Sequence, residues 1–206
     1  DGREHEVEVY FEASPRWALD QPYQQSASKG YEADGLLYLK SGSKEQNILA
    51  KQGDDLRIDW GYFYMVAGKE NTAYSVGNST ELRKNFVNGT LNSASLEGED
   101  SNGNMALVRS HGKVKNVTDK IMLGYDDIYS IQYFGTNLRP YWNSKGDRTI
   151  EAEMLAAYNE YDKLLARCYA FDKKLMEDAS AAGGKEYAEL CALAYRQSIA
   201  AHKLVE

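Results

Sequence analysis

The side chains best suited to chemistry gather late in the chain. Tyr195-Arg196-Gln197 lies near the end of an alanine-rich helical pattern. Arg presents a fixed fork of donors that matches a carboxylate, and Gln offers both a donor and an acceptor. Facing a cavity, the trio would bind a carboxylate or a side-chain amide. Asp178, near the end of the preceding helical pattern, is a companion candidate. The plain structural alternative pairs Arg196 with Asp178 or Glu189 across a helical hairpin. The substrate-binding candidates are therefore Asp178, Tyr195, Arg196 and Gln197, and no residue is assigned to catalysis.

The other constellations read as structure. Asp54-Asp55 and Asp126-Asp127 are paired carboxylates of the kind that acid–base chemistry uses. Both lie beside strand starts among turn residues, where solvated turns are the simpler expectation. His5, His111 and His202 fall on three different elements, so no zinc site is expected. Asp100-Ser101-Asn102-Gly103-Asn104 has the wrong Gly position for an EF-hand and lacks its closing Glu. No nucleophile elbow, P-loop or dinucleotide fingerprint occurs, and neither metal nor cofactor is expected. Three Asn-x-Ser/Thr sequons, at Asn78, Asn88 and Asn116, carry little weight in an Asn-rich chain.

Composition narrows the partners. The net charge of −7 argues against a nucleic-acid backbone or an anionic membrane as the main partner. No apolar run approaches the roughly 18 residues of a membrane span. Hydrophobic residues make up 43% of the 206, enough for a packed core.

Those residues must be positioned by two kinds of element. Up to about Arg148 the pattern is β. Val7, Val9 and Phe11 alternate with Glu6, Glu8 and Tyr10, the period of a half-buried strand. Further strands are expected around residues 36–39, 47–49, 56–60, 62–66, 106–109, 120–125 and 130–134. Asn102-Gly103 signals a hairpin between 95–97 and 105–107. Many short strands with turn chemistry between them mean a sandwich or barrel, and the longer loops favour a β-sandwich over residues 1–147.

After Arg148 the period changes to three and four. Thr149 can cap a long amphipathic helix carrying Met154, Tyr158, Tyr161, Leu164, Leu165, Cys168, Phe171 and Leu175. Ala181-Ala182-Gly183-Gly184 stops it, and a second helix turns Tyr187, Leu190, Cys191, Ala194, Tyr195 and Leu204 inward. On such a hairpin Cys168 and Cys191 are offset by about eight residues, roughly 12 Å. A disulfide needs Cα atoms within about 7 Å, so two free, buried thiols are expected. The small residues of the second helix, Ala188, Ala192, Ala194, Ala200 and Ala201, suit close packing on more than one side. Such a helix belongs inside a bundle or toroid. The chain also starts without Met and stops inside a helical pattern. The expectation is a fragment: a mainly β domain with an α-helical tail, residues 148–206, that begins a larger helical domain.

The sequence also resembles a known family. Val7 to Ser14 followed by Trp17 is similar to the opening strand motif of the glutaminase A family of bacteria and fungi. Asp59-Trp60-Gly61-Tyr62-Phe63-Tyr64 resembles a second strand motif of that family, and Leu82-Arg83-Lys84-Asn85-Phe86 with Gly89-Thr90-Leu91 a further block. The tail carries Ala170-Phe171-Asp172, Leu175, Asp178-Ala179, Gly184, Tyr187-Ala188 and Tyr195-Arg196-Gln197 in similar order. Glu12 stands where the family has Asp, and Pro15-Arg16-Trp17 where it has Glu-Trp. The resemblance implies an N-terminal β-sandwich, then an (α/α) six-hairpin toroid of which this chain holds the first hairpin. It further implies a secreted or periplasmic parent that hydrolyses glutamine to glutamate and ammonia. The fragment itself would be structural and inactive. Its partners would be the missing C-terminal helical domain and, through the parent, a small-molecule amide substrate. A competing expectation is a carbohydrate-binding module, which requires Trp17, Trp60 or Trp142 to be exposed for sugar stacking.

Overall fold

The computed structural model describes residues 2–53, 57–91, 103–200 and 202–205. The chain divides into two compact units, Asp1–Tyr129 and Ser130–Glu206. Antiparallel strands and helices take comparable shares, so the fold is mixed α and β, not mainly β. The extra helix comes from α1 (Ser79–Val87), which Asn78 caps by accepting from the backbone N–H groups of Thr80 and Glu81.

The first unit holds two antiparallel sheets. One has the order β1 (His5–Ala13), β6 (Asn104–Val114), β5 (Thr72–Gly77). The other runs β2 (Ser26–Ala33), β3 (Leu36–Ser43), β4 (Tyr62–Gly68), β7 (Met122–Asp126). One apolar cluster draws on both. Leu37, Leu39, Phe63, Met65 and Ala67 come from the four-stranded sheet, and Ala13, Tyr74, Val76, Met105 and Leu107 from the three-stranded one. The period-2 spacing of these residues is what aims them together. Removing each large side chain from water contributes about 1.5–3 kcal/mol.

Sequence and structure part at several elements. β2, with the sequence SASKGYEA, has no apolar alternation to announce it. Its partner is set by the turn at Asp34-Gly35, both at positive φ, which aligns Ala33 with Leu36. Residues 47–49 form a turn instead of a strand, with Leu49 at φ 52. Residues 57–60 form no ladder, because their side chains, described below, tie them down. The expected Asn102-Gly103 hairpin, the Asp54-Asp55 pair and most of the Asp100–Asn104 loop lie outside the described residues.

The second unit joins a hairpin, β8 (Ile131–Tyr133) with β9 (Thr136–Leu138), to two helices. Thr149 caps α2 (Ile150–Asn159) as expected, accepting from the Ala152 N–H at 3.2 Å. The long helix is then broken at Glu160, whose φ of −98° and ψ of 9° lie in the bridge region. α3 (Tyr161–Ala200) turns back at Gly184, where φ is 80° and ψ −175°. Gly tolerates this conformation without strain. The ring centroids of Phe171 and Tyr195 lie 5.1 Å apart, so the two arms run antiparallel. Backbone pairing of Pro140 with Val205 and of Tyr141 with Leu204 joins the end of this unit to the segment before α2.

Candidate functional site

The hairpin residues can now be placed. Asp178 accepts from Lys174 Nζ at 2.8 Å, one helical turn away, and Glu189 pairs with Lys185 at 3.7 Å. Among the described residues no hydrogen bond or ion pair joins either acid to Arg196, so the cross-hairpin pairing does not form. The reason is geometric. Asp178 lies six residues from Gly184 and Arg196 twelve, an offset of roughly 9 Å along the hairpin. Arg196 and Gln197 are exposed, and Tyr195 leans its ring on Phe171. The four candidates therefore share one hairpin and do not converge on one point.

The expected inward face is corrected too. Tyr187, Leu190, Tyr195 and Leu204 are exposed, while the seam of the hairpin is made by Ala179 and Ala188, both buried. Alanine lets two backbones approach, and larger neighbours are pushed out of that seam. Both cysteines are free, as expected, but Cys168 is exposed and Cys191 half-buried.

The best-built polar centres lie in the first unit. Glu12 is the last residue but one of β1, with a side chain only 7% exposed. Arg83 Nε donates to its Oε2 at 2.7 Å, Tyr10 OH to the same oxygen at 3.0 Å, and Asn104 Nδ2 to Oε1 at 2.5 Å. Burial alone would raise its pKa. Hydrogen bonds from Ser79, Asn104, Arg83 and Tyr10 overcome that and hold the carboxyl down at about 2. Burial, then the neighbouring Glu12, pushes the Tyr10 phenol up. The Tyr10 ring also stacks on Phe86 at 4.9 Å. Two separate motif blocks, one on β1 and one on α1, thus meet here.

A second centre surrounds Asp59-Trp60-Gly61. Lys51 Nζ lies 2.6 Å from Asp20 Oδ2 and 2.8 Å from Asp59 Oδ2, and Gln24 Nε2 donates to the same Asp59 oxygen at 3.2 Å. Asp59 is 1% exposed, and its Oδ1 has no hydrogen-bond partner among the described residues. The ammonium of Lys51 holds the Asp20 carboxyl below the usual range, and Asp20 with Asp59 pushes the Lys51 ammonium up. Trp60 is buried, and its indole N–H reaches the carbonyls of Asp127 (2.8 Å) and Tyr129 (3.0 Å). Gln46 Oε1 accepts from the Gly61 N–H at 2.6 Å. Asp126 accepts from the Ile128 N–H at 3.0 Å, the turn role expected of it.

A third centre is Arg109, whose fork meets Asp119 at 2.7 and 3.0 Å while Nη1 reaches Thr72 Oγ1 at 2.6 Å. His111 Nε2 lies 3.3 Å from Asp119 Oδ2. His5 and His202 are exposed, and His202 packs on Ser198 O at 2.5 Å. Among the described residues no group of three or more His, Cys, Asp or Glu is placed to hold a metal ion. None of their helices is long and apolar enough to cross a membrane. The sequence alone singles out Arg83 only as part of a motif block and does not single out Lys51 at all. Only the charge of Glu12 and Asp59 beside apolar strand residues hinted that each needed a partner.

Chemically, these centres pair opposite charges between elements that are distant in sequence. Among the described residues Glu12, Asp20, Asp59 and Asp119 each meet a cation, and Asp59 keeps one oxygen without a hydrogen-bond partner. The open groove of the second unit, about 500 Å³, is lined by Tyr141, Trp142, Ser144, Lys145, Asp147 and Arg148. None of the four hairpin candidates lines it.

Antiparallel sheets followed by a helical hairpin, with the motif residues Glu12 and Asp59 paired to Arg83 and Lys51, define the class of protein. The chain belongs to the DUF5127 family, described as a domain of unknown function, which matches residues 1–178. It is also similar to glutaminase A of Aspergillus oryzae, with 26% identity over 221 aligned residues. That match takes in 99% of this chain and 31% of the relative, so the chain spans about a third of that protein's length. The glutaminase A-like resemblance of the motifs is thereby upheld. No solved structure matches the chain.

Proposed function

We propose that this chain is a structural part of a larger glutaminase-type amide hydrolase. In this reading the two sheets form a β-sandwich, and the helical hairpin opens an (α/α) toroid completed by further chain. The whole protein adds water across the side-chain amide of glutamine, breaks the C–N bond and releases glutamate and ammonia. It is exported, to the periplasm or beyond. The observation that carries the reading is the alignment of 99% of the chain with a glutaminase A.

The site geometry supports a scaffolding role for these residues. Amide hydrolysis needs an activated water or nucleophile, an oxyanion stabiliser and an acid for the departing ammonia. Glu12 and Asp59 are bound up with Arg83 and Lys51. Arg196 and Gln197 stand exposed on the hairpin, where a neighbouring helical domain could enclose them. The carbohydrate-binding alternative loses Trp60, which is buried and hydrogen-bonded through its indole N–H, and keeps Trp17, which is 66% exposed.

Ammonia release from glutamine tests the proposal. The longer protein should produce it and the purified 206-residue chain should not. A longer protein that leaves glutamine intact would sink the amide-hydrolase reading. Activity in the short chain, abolished by a point substitution within it, would sink the scaffolding role.

A further inference from the structure

Phe134 is the most exposed large apolar side chain described, at 91%. It sits at the tip of the β8–β9 hairpin. The ladder pairs Tyr133 with Thr136, so Phe134-Gly135 is a two-residue turn. Both residues have positive φ, 44° and 80°. Such turns normally take Asn-Gly, since Asn tolerates the left-handed region and a bulky side chain strains it. A phenyl ring is thus held in an unfavourable backbone conformation and in water at once. Neither the local fold nor solubility is served by it. Tyr133, 59% exposed, meets the same ring edge to face at 4.5 Å. Between Asp127 and Arg139 the sequence has no charged residue at all, in a chain that is 27% charged. Uncharged aromatic patches of this kind are the composition of an interface core.

We propose that the Tyr133–Phe134 tip is a docking wedge that inserts into an apolar cleft between helices of the remaining chain of the parent protein. The inference rests on the larger-protein reading above. The length of the relative supports this occupant, because this chain accounts for only 31% of it. Charge disfavours the other occupants. Two copies of a chain carrying −7 repel each other, and so do this chain and an anionic membrane.

Hydrogen exchange read by mass spectrometry on the longer protein and on the 206-residue chain tests it. Amides of residues 130–138 should exchange about tenfold slower, or more, in the longer protein. Phe134→Asn suits the turn, so it should leave the melting temperature of the short chain unchanged or higher. In the longer protein the same variant should return the exchange of 130–138 to the rate seen in the short chain. Equal exchange in the two proteins would overturn the proposal. So would a dimer of the short chain that Phe134→Asn dissolves, or flotation of the short chain with phosphatidylcholine vesicles that the variant abolishes. The readout is independent of catalysis. A longer protein that protects the tip yet leaves glutamine intact keeps the wedge and loses the amide-hydrolase reading, and the reverse result does the opposite.

Discussion

Replacing Glu12 by Gln removes one charge and little volume from the centre that joins β1 to α1. The magnitude follows from linkage. A carboxyl drawn from its ordinary 4.5 down to about 2 contributes about 3 kcal/mol to the folded state once fully ionised. Arg83 is 67% exposed, so water screens its part. About 2 kcal/mol should survive that screening. Gln also turns an amide N–H₂ toward donors that want an acceptor, which works in the same direction. The sign with pH is fixed because the folded-state pKa is lowered. The contribution is fully present above 4.5 and fades as pH falls toward about 2.

Urea unfolding of the wild-type chain and Glu12→Gln, followed by tyrosine and tryptophan fluorescence, measures the gap. It should be about 2 kcal/mol at about pH 7 and shrink to less than half of that by about pH 2.5, with the m-value unchanged. Asp20 and Asp119 are also held below the usual carboxylate range, and they titrate alike in both proteins. Their effects cancel in the difference. A gap equally large in acid, or one under about 0.5 kcal/mol at neutral pH, would refute the argument.

Other substitutions probe other parts of the fold. Trp60→Phe takes the indole donor from the buried Asp127 carbonyl and the half-buried Tyr129 carbonyl and should cost about 1–3 kcal/mol, read as a lower urea midpoint. Gly61→Ala should cost about 3 kcal/mol or more, because residue 61 has φ 80 and a new Cβ would stand 2.3 Å from the Asp126 carbonyl oxygen. Arg196→Ala and Gln197→Ala should change the stability of the short chain by less than about 0.5 kcal/mol. In the longer protein, the same two changes should raise KM for glutamine about tenfold if these residues bind substrate.

The sequence was most legible where periodicity and core coincide. Leu37, Leu39, Met65 and Leu107 announce their strands because alternation and burial are the same fact there. β2 was hidden because its inward residues, Ser26 and Ser28, are small and polar. Ser28 satisfies itself on Ser41 at 2.8 Å instead of joining an apolar stripe. Residues 57–60 misled for the opposite reason, since Trp60 is apolar yet held by its N–H and not by a ladder. The hairpin turn at Gly184 was readable from its two glycines. The inner face of the hairpin was not, because the packing there is set by Ala179 and Ala188, whose short side chains give a weak periodic signal. Of the candidate site, the residue types were legible and their pairing was not. Glu12 and Arg83 are joined only by the fold.

In the proposed reading the charged and aromatic motif residues of the first unit build structure and do no chemistry. Steady-state ammonia release by the longer protein carrying Glu12→Gln or Trp60→Phe tests it directly, at a temperature where both variants are folded. The expected result is a lower melting temperature with kcat within about twofold of wild type. A kcat reduced about a hundredfold in a fully folded variant, with KM unchanged, would contradict it.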